Sequence, residues 1–115
     1  MLYMWIDDVR PFPYSSWETK DQTWFFTHTT NEAINFIRQE YKKGNASFYL
    51  DIDHDAGDYA FSGGGDYINI LKNLETYINT GKMRHLKITC HFHSMNPVGI
   101  MNMKAICKKN GWEVV

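Results

Sequence analysis

Long apolar runs are missing from this sequence. None approaches the ~18 residues that cross a bilayer as a helix, so no membrane span is expected. Cysteine is scarce: Cys90 and Cys107 are the only two. One falls in an expected strand and the other in an expected helix, which reads as two buried thiols rather than a disulfide framework. Charge of one sign is also absent. Twelve basic and thirteen acidic side chains leave a net charge of −1, with no global field to draw in a nucleic-acid polymer or an anionic membrane. No charged-then-apolar leader opens the chain, since Met1-Leu2-Tyr3 runs directly into a strand pattern; the expected location is the cytoplasm. There is no internal repeat, low-complexity tract or linker. One domain over residues 1–115 is the simplest organisation for this length.

What is present is an apolar fraction of 43% with 16% aromatics, a globular composition in which rings supply much of the core volume. Leu2 to Ile6 forms a short apolar run, apolar on both faces like a central parallel strand. Pro11 and Pro13 then forbid a helix or a central strand and imply a long loop to Gln22. Thr23 to Thr27 is β-branched and aromatic, a second strand. Thr29 with Glu32 three residues on makes a capping box for a helix. Ala33, Ile34, Ile37 and Tyr41 carry its apolar period, and Lys42, Lys43 and Gly44 mark its end.

Ser47 to Asp53 is the third strand. A glycine-rich connector over 55–65 follows, without the pattern of a phosphate-cradling P-loop. Asp66 is expected to cap the next helix, with Tyr67, Ile70, Leu71, Leu74 and Ile78 turned inward. Leu86 to Phe92 is the fourth strand. Asn96-Pro97 opens a third helix, with Val98, Met101, Ala105 and Ile106 as its apolar side, and Trp112 to Val115 is a short last strand. Alternating strands and helices imply a parallel α/β sheet with helices on both faces. The flavodoxin-like order 2-1-3-4-5 fits, as a three-layer sandwich whose first helix is replaced by the proline-rich loop.

In that order strands one, three and four are neighbours, and their carboxyl ends carry Asp7-Asp8, Asp53-His54-Asp55 and His93-Ser94. Ligands of open α/β sheets bind outside those ends. Asp7, Asp8 and Asp53 would repel one another unless a cation joined them, and oxygen ligands suit Mg²⁺ or Mn²⁺; nearby imidazoles would extend the choice to Zn²⁺. His54 and His93 suit proton transfer. The start of the third helix, with Ser94 and Asn96 beside it, offers a phosphate site, and Arg10 is a further phosphate or carboxylate partner. Thr29 and His28 end the second strand and border the same region. Asp51 is expected inside its strand, facing away from the pocket, and His91 deeper than His93 as a buried, satisfied imidazole. His85 falls at the opposite end of the sheet, and Trp5 and Trp24 belong to the core.

Three stretches, Ile6-Asp7-Asp8-Val9-Arg10-Pro11, Asp53-His54-Asp55-Ala56-Gly57 and His93-Ser94-Met95-Asn96-Pro97-Val98-Gly99, resemble the LDDxRP, LDHDxG and HSxNPxG signatures of the cyclic-phosphate processing receiver-like domains. Thr29 to Ala33 is similar to that family's T-x-E-E-A stretch, so the resemblance spans nearly the whole chain. It implies a receiver-like fold and the handling of cyclic or linear nucleotide phosphates in conflict or nucleotide-signalling systems. By the same resemblance Asp7 and Asp8 match a receiver's acidic pair, Asp53 its phospho-acceptor and Ser94 its hydroxyl. His54 and His93 are the family's additions and suggest hydrolysis rather than signalling. The last strand has no receiver-type lysine, the nearest being Lys108 and Lys109, which argues against ordinary phosphorelay.

The expected function is therefore a metal-assisted phosphoesterase, a hydrolase of a cyclic nucleotide, cyclic phosphate or phosphodiester. Asp7, Asp8 and Asp53 would hold the ion, His54, His93 and Asp53 would carry the chemistry, and Arg10, Ser94, Asn96 and Thr29 would bind substrate. A small phosphorylated ligand, most simply a nucleotide, is the expected partner. The alternatives are a receiver-like sensor or protein-interaction module without turnover, and a receiver phosphorylated on Asp53.

Overall fold

The computed structural model of the chain describes residues 1–8, 12, 23–57 and 60–115. Among the described residues five strands form one sheet: β1 Leu2–Ile6, β2 Trp24–Thr27, β3 Ser47–Ile52, β4 Lys87–Phe92 and β5 Glu113–Val114. All pairings are parallel, in the spatial order β2-β1-β3-β4-β5. The helices are α1 Thr30–Lys42, α2 Ala60–Gly63, α3 Ile68–Asn79 and α4 Pro97–Asn110. This is the expected flavodoxin-like order. Asp51 of β3 is in register with Trp5 of β1 on one side and His91 of β4 on the other, which matters for the site.

The local rules that build the elements are visible in the caps. Thr29 is extended (φ −120°) and its hydroxyl accepts from the Glu32 N–H at 3.0 Å. Glu32 reaches back to the His28 N–H rather than to that of Thr29. Asn96 caps α4 by accepting from the Gly99 N–H at 2.9 Å, with Pro97 in the first turn, and Gly111 ends the helix in the left-handed region at φ 70°. The expectation for Asp66 is corrected. Tyr67 stands at the N-cap of α3 with no side-chain cap bond, and the Asp66 carboxylate instead accepts from the Ala56 N–H. The connector it closes is also not featureless, since α2 lies within it.

Side chains alternate across each strand. Met4, Ile6, Phe48, Leu50, Ile52, Ile88 and Cys90 join Ala33 and Ile37 of α1, Ile70, Leu71 and Leu74 of α3, and Met103 and Cys107 of α4 in one apolar core. The connections β2 to β3, β3 to β4 and β4 to β5 all step the same way across the sheet, so right-handed crossovers place α1, α3 and α4 in one layer on one face. The step that runs the other way, β1 to β2, passes through 9–11 and 13–22, which lie outside the described residues, as do the expected proline-rich loop and Arg10. Helices on both faces is thus borne out for one face among the described residues. The opposite face carries an aromatic layer in which Tyr3 packs against Trp24 and Tyr49, and Phe12 against Trp5, Trp24 and Phe26.

The apolar side expected for α4 is likewise corrected. Val98, Met101 and Ala105 are exposed, and Gly99, Met103 and Cys107 face the core with Ile106 at its edge. The i, i+4, i+8 row wins because it alone puts a glycine, whose backbone can approach closely, over the loop after β3. Cys90 and Cys107 are both buried; their mutual hydrogen bond, and then burial, push the Cys90 thiol well above its ordinary pKa. Among the described residues no helix is long and apolar enough to cross a membrane.

Candidate functional site

The site is assembled by three strand ends that the sheet order makes adjacent. Asp7 follows β1 and is almost wholly buried, and its amide donates to Thr27 O of β2. Asp53 follows β3; its amide donates to Ile6 O, and its carboxylate accepts from the His54 N–H at 2.8 Å. His93 follows β4, with its amide donating to Ile52 O. The ladder thus runs one residue beyond each strand and brings a carboxylate, a carboxylate and an imidazole together. One ligand atom from each of Asp7, Asp53 and His93 lies within 4.8 Å of the other two.

His93 is the most constrained of them. Its Nε2 lies 2.8 Å from Asp7 Oδ2 and its Nδ1 2.7 Å from Asp51 Oδ1. The indole of Trp5 stacks on its ring at 3.9 Å and 6°. The side chain is 9% exposed. Asp51, expected to face away, therefore belongs to the site. Residues i and i+2 share a strand face, so Asp51 and Asp53 point the same way, as do His91 and His93. Register sets Asp51 opposite His91, and Asp51 Oδ1 also accepts from His91 Nδ1 at 3.0 Å. The reading of His91 as the deeper imidazole is corrected too. Its side chain is 38% exposed against 9% for His93, because Trp5 stacks on the His93 ring and Asp7 meets its Nε2.

Around this centre stands a second group. His54 Nδ1 lies 2.7 Å from Asp55 Oδ1, and its ring rests on Gly99 of α4 so closely that a Cβ there would collide with it. Asn96 Nδ2 lies 3.4 Å from both His54 Nδ1 and Asp55 Oδ1. His54, Asp55 and Asp66 form a further set of ligand atoms within 4.8 Å. Asp8 lies with its carboxylate against Gly57, which is left-handed at φ 56° and has no room for a Cβ. Gly57 is thus where two of the acidic stretches meet.

The expected phosphate groups are placed as follows. Ser94 Oγ accepts from the Asn96 N–H at 3.0 Å. At the start of α4, Asn96 takes the Gly99 and Ile100 N–H groups and Pro97 has none, which leaves the Val98 N–H of the first turn among the described residues. Thr29 caps α1 and packs against Gly63. His28 Nδ1 lies 3.1 Å from Asp7 O, so His28 does border the site. His85 is exposed at the other end, where its amide donates to Tyr41 Oη. Lys109 pairs with Glu75 at 3.5 Å, at the far end of α4 from the site.

Sequence reasoning missed Asp51 and the stacking of Trp5. The signal was present as the i, i+2 repeats Asp51/Asp53 and His91/His93 in neighbouring strands, but the register that joins them was not.

A five-stranded parallel sheet of order 2-1-3-4-5 with an acidic cluster at its carboxyl ends defines a receiver-like α/β protein. The family model described as the cyclic-phosphate processing receiver domain matches residues 2–109, and the chain belongs to that family. No curated protein and no solved structure matches the chain.

Proposed function

We propose that the chain binds a small phosphorylated ligand, a cyclic nucleotide or another cyclic phosphate or phosphodiester, at the carboxyl ends of β1, β3 and β4, and hydrolyses it with the help of a divalent ion. The observation that carries this reading is the convergence of Asp7, Asp53 and His93 within 4.8 Å, in a chain of the cyclic-phosphate processing family. Two carboxylates this close repel, and a cation among them removes that cost. Two oxygens and one imidazole nitrogen fit Mg²⁺, better Mn²⁺, and also Zn²⁺. Such an ion supplies Lewis-acid polarisation of a phosphoryl oxygen and lowers the pKa of a bound water.

The protein's own residues do the rest. Asp7 and Asp53 would hold the ion with His93, and Asp8, with its carboxylate against Gly57, would support the loop or reach the ion through water. His54, oriented by Asp55, is then the group for proton transfer to the leaving oxygen, with a role for His93 wherever it is not bound to the ion. The Val98 N–H, the Ser94 hydroxyl and the Asn96 amide would hold the phosphate; Arg10 is a fourth candidate outside the described residues.

The test is a panel of cyclic nucleotides and a chromogenic phosphodiester, assayed with Mg²⁺, Mn²⁺ and Zn²⁺ and again after chelation. Turnover that chelation abolishes and His93→Ala lowers about 10²–10⁴-fold is the expected outcome. No turnover across the panel would sink it. A second reading has one observation in its favour: both ring nitrogens of His93 already contact carboxylates. A site so fixed suits a sensor that binds a nucleotide phosphate without hydrolysis. That reading expects ligand-dependent thermal stabilisation in the absence of turnover.

A further inference from the structure

Asp51 is an acidic residue, fully buried, two positions before Asp53 at the acidic end of β3. Neither the ladder nor the core needs a carboxylate there. Its register neighbours are Trp5 and His91, and burying an ionised carboxylate is costly unless donors meet it. The donors here are two imidazoles, which reach the same oxygen from Nδ1 at 3.0 Å for His91 and 2.7 Å for His93. An ionised carboxylate only accepts hydrogen bonds, so each Nδ1 that contacts it carries the proton. A neutral imidazole has one proton, and once it sits on Nδ1 the lone pair is on Nε2. In His93 that nitrogen lies 2.8 Å from Asp7 Oδ2, a contact that by the same rule asks for a proton there too; a divalent ion bound by Asp7 would take the place of that proton and meet the Nε2 lone pair instead. Trp5, stacked flat on the ring, prevents the rotation that would exchange the two nitrogens.

We infer that Asp51 is the positioning residue of the ion site: it holds the His93 proton on Nδ1 and so turns the Nε2 lone pair toward the divalent ion held by Asp7 and Asp53. A carboxylate behind a ligating histidine orients the ring and raises its basicity, and losing it typically weakens metal binding about 10- to 100-fold. His91, donating to the same oxygen from the half-open face, fixes the carboxylate without touching the ion. This inference rests on the metal-assisted reading proposed above and adds to it a residue outside the three strand ends.

The test has two arms, neither of which needs turnover. The first is nitrogen-15 NMR of the histidine rings of the wild-type chain loaded with Mg²⁺. The expected signature is a proton on His93 Nδ1 and none on Nε2; a proton on Nε2 with the ion bound would overturn the inference. The second is a Mn²⁺ titration followed by electron paramagnetic resonance, comparing the wild type with Asp51→Asn and with His91→Gln. Asp51→Asn keeps the size of the side chain but removes its charge, and is expected to weaken Mn²⁺ about 10- to 100-fold; His91→Gln is expected to weaken it less. Circular dichroism shows whether each variant is folded, and the wild-type NMR arm stands if one is not. Equal Mn²⁺ affinity in wild type and folded Asp51→Asn overturns the role of Asp51 alone. No Mn²⁺ binding by the wild type overturns the metal-assisted reading, and this inference with it.

Discussion

The two faces of the sheet are made by the same strands and are chemically opposite. On the helical face of β3 stand Phe48, Leu50 and Ile52, all fully buried in one apolar cluster with α1, α3 and α4. On the other face the same strand presents Tyr49 and Asp51, followed by Asp53. The first face provides stability through apolar burial. The second spends buried surface on a stacked Trp5–His93 pair and on carboxylates that need donors. The contrast teaches that the polar site is not an addition at the loop ends alone. It extends down one face of the central strands, and a chain with period-two alternation can carry both programmes at once.

The largest difference between the faces is expected in stability. Leu50→Ala on the helical face should lose about 2–5 kcal/mol in chemical denaturation, since a fully buried leucine leaves a cavity. Thr89→Ala, half-buried on the other face, should lose about 1 kcal/mol or less. Similar losses for the two would break this division of labour between the faces.

A smaller effect is expected where the helical layer touches the site. Gly99→Ala would gain about 1 kcal/mol of helix propensity, but its Cβ would meet the His54 ring, and overpacking of that kind costs about 1–3 kcal/mol. A net loss of about 0–2 kcal/mol, with a displaced His54 resonance in NMR, is the expected result. An unmoved His54 would show that the ring does not rest on α4.

The smallest effect concerns pH and the open face. Burial first, then the charge of Asp51 and the neighbouring Tyr3 and Cys90, raise the pKa of Tyr49 from 10.0. The folded chain therefore holds this proton more tightly than the unfolded chain. The stability it contributes is complete below pH 10.0 and is lost as the pH rises through the folded value. Thermal midpoints measured on either side of pH 10.0 should fall less steeply for Tyr49→Phe than for the wild type.

Much of the fold was legible residue by residue. Thr29 with Glu32, Asn96 with Pro97, and Gly111 announce helix boundaries because unpaired backbone groups at helix ends need specific partners within a few residues. The strands announced themselves by apolar and β-branched runs, and the family signatures lie at their ends. Where the sequence misled, the competing choices were locally equivalent. Val98, Met101 and Ala105 make as good an apolar stripe as Gly99, Met103 and Cys107 when α4 is considered alone; packing against the loop after β3 decides between them. Asp66 looks like a cap, but the Ala56 amide, ten residues earlier, takes its carboxylate.

By itself, then, the sequence determined the five strands, the three longer helices and the identity of Asp7, Asp53, His54 and His93 as residues at strand ends, because periodicity and capping are short-range; the parallel order followed from the alternation of elements and the crossover rule. Only the tertiary structure decided which of these groups meet. It set Asp51 against His91 and His93, put the indole of Trp5 on the His93 ring, and turned Asp8 toward Gly57. Those contacts join residues some forty positions or more apart, and for β1, β3 and β4 it is strand register, a property of the pairing rather than of any one segment, that brings them within reach.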